Sequence, residues 1–240
     1  LMAMAKFVLK TLPGIDRPAI AAQFPTERGK SLMLDLGANI ECNAQNLVQF
    51  AVMGEVLARQ MLGLQNPSVG ILNVGAEDLK GKNSVKEAAA ILQETELPIK
   101  FFGFIEGNDI ATGTVDVIVT DGFTGNIALK TAEGTVKMFG VFLREALTSS
   151  LTSILASKFA YSALQRFKER LDPRYYNGAM LLGLNGICVK SHGGTDAIGF
   201  SNAIGVAANL IQTNLNESIK KDYARLQKIE QSSPSETKKL

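Results

Sequence analysis

VTDGFTGNIALKTAEG, residues 119–134, carries the pattern on which the fold turns. The apolar and β-branched run Val115 to Thr120, broken only by Asp116, stops at Asp121, Gly122, Thr124, Gly125 and Asn126, and a helix-forming run follows. A short, continuous apolar run of this kind fits a strand buried on both faces, and the turn residues then lead into a helix. Glycines ahead of a helix let backbone N–H groups approach a ligand, and a helix start favours anions, so DGFTGN reads as a phosphate cradle. It reads equally as a tight strand-to-helix turn with Thr124 or Asn126 as cap. It matches neither GxGxxG nor a Walker sequence, so no dinucleotide or nucleoside triphosphate is implied.

The same pattern recurs along the chain. SLMLDLGAN (31–39), SVGILNVGAED (68–78), KFFGFIEGND (100–109) and NGICVKSHGG (185–194) are apolar runs that end in Gly, Asn or Asp. Helical patterns over 44–63, 83–94, 126–147 and 202–224 lie between or after them; in the first, Leu47, Phe50, Ala51, Gly54, Leu57, Ala58 and Met61 share one face. Strand–helix alternation predicts an α/β fold with a mostly parallel sheet. One domain is expected over 1–225, with a helical insertion at about 136–171 and a polar tail at 226–240. The opening LMAMAKFVLK reads as a helix whose beginning is missing, since Leu1 has no cap before it.

Composition narrows the classes. A formal charge of +2 on 240 residues gives no argument for nucleic acid. Cys42 and Cys188 lie far apart without CxxC spacing, which argues against a disulfide framework or zinc knuckle and for a reducing compartment. No apolar run reaches the roughly 18 residues of a membrane span.

In open parallel α/β sheets, ligands sit beyond the carboxyl ends of the strands. All five polar clusters are expected there: Asp35–Gly37–Asn39; Asn73, Gly75, Glu77, Asp78 and Lys80; Glu106, Asn108 and Asp109; Asp121, Thr124, Gly125 and Asn126; and Lys190, Ser191, His192, Gly193 and Gly194. Lys80 is suited to holding an anion or polarising a carbonyl, or is simply solvated. His192 is the only histidine, suited to acid–base work or to a structural role. The segment 136–171 crowds Leu151, Ile154, Leu155 and Phe159 beside Lys158, Arg166, Lys168 and Arg170. It reads as helices packed on the core or on a second subunit, or as a surface for a membrane or an acidic partner.

Taken in order, GIDRPAIAAQFPT (14–26), LDLGANIECNAQNLVQFAVMG (34–54), VGILNVGAEDLKG (69–81), IEGNDI (105–110), VIVTDGFTGNIALKTAEG (117–134) and LLGLNGICVKSHGGTDA (181–197) resemble the bacterial phosphate acyltransferase (PlsX) family of fatty acid/phospholipid synthesis proteins. The resemblance implies a three-layer α/β/α sandwich like that of isocitrate and isopropylmalate dehydrogenases, with a protruding helical segment. It implies acyl phosphate made from inorganic phosphate and fatty acyl-[acyl carrier protein], for phosphatidic acid synthesis. It also implies a homodimer peripherally associated with the membrane, in reach of a membrane glycerol-3-phosphate acyltransferase. Family chains carry a further segment ahead of the equivalent of Leu1, so part of the sheet and site would lie there.

On that reading phosphate attacks the thioester directly, and neither a protein nucleophile nor a cofactor or metal is required. Lys80, His192 and Asn126 are the expected catalytic residues, and Asn39, Thr124, Gly125, Asn73 and Lys190 the expected phosphate and substrate contacts. Leu151, Ile154, Leu155, Phe159, Arg166 and Lys168 are the expected membrane or carrier contacts. The competing readings are a phosphate acetyl- or butyryltransferase using coenzyme A thioesters, a decarboxylase of the isocitrate type, and an inactive scaffold that binds carrier protein or membrane.

Overall fold

A computed structural model describes residues 2–94 and 99–232; Leu1 and the tail beyond 232 lie outside the described residues. The strands are β1 (Ala19–Thr26), β2 (Gly29–Leu34), β3 (Ser68–Leu72), β4 (Lys100–Ile105), β5 (Val117–Val119), β6 (Ala179–Leu182) and β7 (Val189–Lys190). They form one sheet in the order β4-β3-β5-β2-β1-β6-β7. The ladders β2–β5, β3–β5 and β3–β4 are parallel. Those of β1 with β2, β1 with β6 and β6 with β7 are antiparallel. The sheet is therefore mixed rather than mostly parallel.

The central strands are buried on both sides, as continuous apolar runs require. Leu32, Leu34, Val117 and Val119 enter one apolar cluster, while Met33 and Ile118 enter the other. The first cluster is completed by α2 (Ala44–Met61), α3 (Asn83–Glu94), the Leu210 end of α8 (Ala197–Gln212) and α9 (Leu215–Ser232). The second is completed by α1 (Met2–Leu9), α4 (Gly107–Thr112) and the start of α5 (Gly122–Thr148). These are the three layers of an α/β/α sandwich.

Helix α2 is wrapped rather than one-sided: every residue from Asn46 to Ala58 is buried. The buried Gln49 and Glu55 are partnered, as burial demands. Gln49 accepts from Asp16 N and donates to Gly14 O and to the Tyr223 hydroxyl. Glu55 pairs with Arg59, which also pairs with Asp222 of α9. The 202–224 pattern resolves into two helices broken at Asn214, whose φ of 50° ends α8. Leu215, Ile219, Tyr223 and Leu226 then keep one buried face, which carries α9 to Ser232.

The middle segment protrudes. Helix α5 has 27 residues, about 40 Å at 1.5 Å each, but buries only Gly122 and Gly125. Helices α6 (Leu151–Phe159) and α7 (Tyr161–Leu171) bury no residue. Phe139 meets Phe167 at 6.1 Å between ring centroids, and Arg170 returns to the β1–β2 turn by donating to the carbonyls of Thr26 and Glu27.

The start of α5 lies against the loop that follows β2. A Cβ on Gly122 would stand 2.5 Å from Asn39 O, and one on Gly125 would run into the Asp35 carbonyl oxygen. Both glycines are thus demanded by backbone contact. Gly125→Ala is expected to lower stability by about 1–3 kcal/mol, the usual cost of overpacking. Gly140→Ala, with nothing within 4 Å, is expected to be neutral or stabilising. Urea unfolding of the two variants checks this; equal effects would remove the contact argument.

Candidate functional site

Four of the five clusters meet at one edge. Strands β2, β3, β4 and β5 run the same way, so the residues after each gather at their common carboxyl ends. The fifth does not. Strand β7 is antiparallel to β6, which is antiparallel to β1, which is antiparallel to β2, so β7 ends toward the opposite edge. Lys190 pairs with Ala179, three strands from β2, and the chain then runs away from Asn39. At about 4.8 Å per strand and 3.3 Å per residue, His192 lies on the order of 20 Å from Asn39. A single reacting carbonyl cannot touch both within one chain.

At the carboxyl edge the polar groups are mostly engaged with one another. The Asp35 carboxylate accepts from Ile20 N at 2.9 Å, Ala38 N at 3.0 Å, Asn39 N at 2.6 Å and Asn39 Nδ2 at 2.9 Å. Burial pushes its carboxyl above the ordinary range, against these donors. Asn39 Nδ2 also donates to Pro18 O at 2.8 Å, so both amide hydrogens are used and neither is free to orient a substrate carbonyl. Asn39 O accepts from Gly122 N at 2.7 Å.

Asp121 caps α5, an acidic cap that the sequence reading assigned to Thr124 or Asn126. Its carboxylate accepts from Thr124 N at 2.7 Å, and its carbonyl accepts from Gly125 N at 2.9 Å. The amides expected to cradle phosphate are therefore already bonded, with a carboxylate in front of them. Asn126 is exposed on the first turn, beside Gly37. Lys82, which the sequence reading passed over, reaches Asp121 at 2.7 Å, whereas Lys80 pairs with Glu77 at 2.8 Å on the exposed side of the loop. Asn73 braces that loop, donating to Gly75 O and Lys80 O. Burial, with Asp35 and Asp121 nearby, pushes the Cys42 thiol up to about 12, which removes it as a nucleophile.

At the other edge, His192 N donates to Asn177 Oδ1 at 2.9 Å, and Asn177 Nδ2 donates to Ser191 Oγ at 2.9 Å and Gly199 O at 2.7 Å. Gly194 N donates to His192 Nδ1 at 3.2 Å, which leaves Nε2 as the proton-bearing nitrogen of the neutral ring. Arg174, from the 3-10 turn Pro173–Tyr176, pairs with Asp172 and with Asp196, the cap of α8. Lys190 is exposed.

On the protruding helices, Leu151 and Phe159 are each 85% exposed, and Leu155 is 57% and Ile154 39% exposed. Arg166 and Lys168 are exposed alongside. Among the described residues no helix is long and apolar enough to cross a membrane.

Burial pushes the Asp121 carboxyl up, but Lys82 and then Thr124 outweigh it and hold it below the ordinary aspartate value of 3.8. A lowered folded-state value means stability that is present above the unfolded value and lost as pH falls through the folded one. Asp121→Ala is therefore expected to cost about 1 kcal/mol at neutral pH, the usual worth of an N-cap. The gap from the parent is expected to close as the pH is stepped below 3.8, and urea titrations at each step check it.

With this geometry the chain can be set beside known proteins. Residues 1–218 match the model of the family described as "Fatty acid synthesis protein". The chain is 64% identical over 230 residues to the phosphate acyltransferase of Paramagnetospirillum magneticum, covering 96% of this chain and 66% of that protein. It is 64% identical to that of Rhodospirillum centenum, covering 95% of this chain and 64% of the relative. The chain thus spans just under two thirds of the length of these curated relatives. Among solved structures, the EutD phosphotransacetylase from Staphylococcus aureus superposes with a TM-score of 0.54 at 19% identity, over 89% of this chain and 58% of that one. A branched-chain phosphotransacylase from Enterococcus faecalis V583 gives 0.51 at 15%, over 85% and 68%. At these identities the two structures speak for the fold alone. The match over most of the chain places this protein in the fatty acid synthesis protein family.

Proposed function

We propose that the chain belongs to a phosphate acyltransferase that makes acyl phosphate from inorganic phosphate and fatty acyl-[acyl carrier protein], for phosphatidic acid synthesis. The observation that carries this is the 64% identity over 96% of the chain to a relative of that name. A phosphate oxygen attacks the thioester carbonyl carbon. The C–O bond forms, the C–S bond breaks, and the carrier's sulfur leaves as the thiol, taking up the proton that the attacking hydrogen phosphate gives up. No protein nucleophile is required, in keeping with the raised Cys42 thiol.

The loop after β7 is the better seat for the transfer step. His192 Nε2–H is a hydrogen-bond donor suited to the charge that develops on the leaving sulfur, and Lys190 lies two residues away as a cation for phosphate. Among the described residues Gly193 has nothing within 4 Å of where a Cβ would be, so packing within them does not require a glycine there. Lys80, at the other edge, has the lesser role of drawing anions. Asn39, Thr124 and Gly125 build that edge instead of holding phosphate, and Asn73 holds its loop, because their donors are committed. The exposed Leu151, Ile154, Leu155 and Phe159 support peripheral membrane contact of a cytoplasmic homodimer, near a glycerol-3-phosphate acyltransferase that takes the product. Arg166 and Lys168 support contact with the acidic carrier protein.

Phosphate-dependent release of carrier thiol from palmitoyl-carrier protein tests the activity, and acyl-coenzyme A in its place tests the nearest alternative. His192→Gln is expected to lower kcat by about 100-fold or more, the range for losing a donor to charge that develops in the transition state, while Lys80→Ala raises KM for phosphate with a smaller effect on kcat. Normal turnover in His192→Gln would reduce that residue to packing. Liposome flotation of a Leu155→Glu protein that still dimerises is expected to show weakened binding; undiminished flotation removes the lipid role.

A further inference from the structure

A groove of about 410 Å³ opens where β1 and β2 meet the 3-10 turn and α8, lined by Gln23, Lys30, Tyr176, Asn177, Ser201 and Gly205. That volume lies in the usual range for a small-molecule site. We infer that this groove receives the phosphopantetheine arm of the acyl donor and delivers its thioester to His192. The inference rests on the acyl-transfer reading above.

Four observations point to an occupant of that chemistry. Lys30 meets no carboxylate at ion-pair distance among the described residues; its Nζ rests 5.5 Å from the centroid of the Tyr176 ring. It also borders a second depression of about 400 Å³ beside Arg28, so an unneutralised cation stands at the junction of two concavities, where a phosphodiester would be held. Among the described residues Gln23 Oε1 is buried without a hydrogen-bond partner, and its Nε2 meets only the Met61 sulfur at 3.5 Å, a weak acceptor. An unpaired buried amide oxygen carries a penalty that an incoming N–H removes once the side chain turns to meet it. Pantetheine offers two such amides.

Gly205 supplies the third observation. Among the described residues nothing lies within 4 Å of where its Cβ would be, so the wall of the groove is open in mid-helix, where alanine is the better helix former. The fourth is continuity with the chemistry. Asn177 lines the groove and also binds His192 N and Ser191 Oγ, at 2.9 Å each. A fatty chain would find few apolar partners in this groove, and inorganic phosphate would use Lys30 and leave the amide unpaired. A flexible arm with phosphate at one end, amides along it and a thioester at the other uses the whole length.

Gly205→Phe plugs the groove without removing a contact, and its phenyl ring replaces a poor helix former. With palmitoyl-carrier protein, the variant is expected to show a KM for donor raised about 10-fold, equal to about 1.4 kcal/mol, with KM for phosphate unchanged. Lys30→Met is expected to raise donor KM less and to flatten its salt dependence. Acyl-coenzyme A and the carrier-borne donor share the arm, so both should suffer; the parent's relative kcat/KM for the two names the source. Calorimetric titration with free 4′-phosphopantetheine separates this inference from the reading beneath it. Binding to the parent that Gly205→Phe abolishes sustains the groove even if no donor turns over. Turnover with unchanged donor KM in Gly205→Phe, or equal phosphopantetheine binding by parent and variant, overturns the groove and leaves the activity standing.

Discussion

The carboxylate of Asp35 sits fully buried at the end of β2 and accepts four hydrogen bonds. One comes from β1, through Ile20 N, and three come from the loop that Asp35 itself begins. The antiparallel strand, the parallel strand and the strand-end loop are thereby fixed to one point. Asn39 extends the arrangement to Pro18 O and, through its own carbonyl, to the first amide of α5. The tight seat of α5 follows, and with it the glycines at 122 and 125 and the direction in which the protruding segment departs. A buried charge of this kind is tolerable only while its donors stay in place. Burial raising its proton affinity shows that the donors offset desolvation incompletely.

Much of the α/β architecture was legible because its signals are local. Apolar runs ending at glycine or asparagine marked β2, β3, β4 and β5, and the capped, amphipathic patterns marked α2 and α3. The departures are where direction or partner depends on distant chain. Strand β1, AIAAQFPT, mixes small residues with Gln23 and Pro25 and has no long apolar run, so only its pairing on both sides identifies it. The run 185–194 was legible as a strand but not as one of reversed sense. A signal was present: only six residues separate Leu182 from Val189, too few for the crossover that a parallel pair needs. Weighing that spacing would have placed His192 away from the other clusters.

The site was less legible than the fold, because residue type does not reveal which donors are already spoken for. DGFTGN and SHGGTD look alike as sequence: glycines, a hydroxyl and an acid before a helix. In space they differ in what the glycines answer to. Gly122 and Gly125 are small because backbone oxygens of Asn39 and Asp35 lie where a side chain would go. Gly193 faces open space, and Gly194 has only the His192 ring at 3.7 Å from a Cβ position. Sterics among the described residues account for the first pair and leave the second without such a cause. Glycine weakens a loop by widening its unfolded ensemble, so its presence where nothing in the fold requires it directs attention to what approaches from outside. On the proposed reading the chemistry lies in the loop after β7 rather than in the turn at 121–126, for there the only imidazole of the chain has Nδ1 held by the backbone and Nε2 turned to donate.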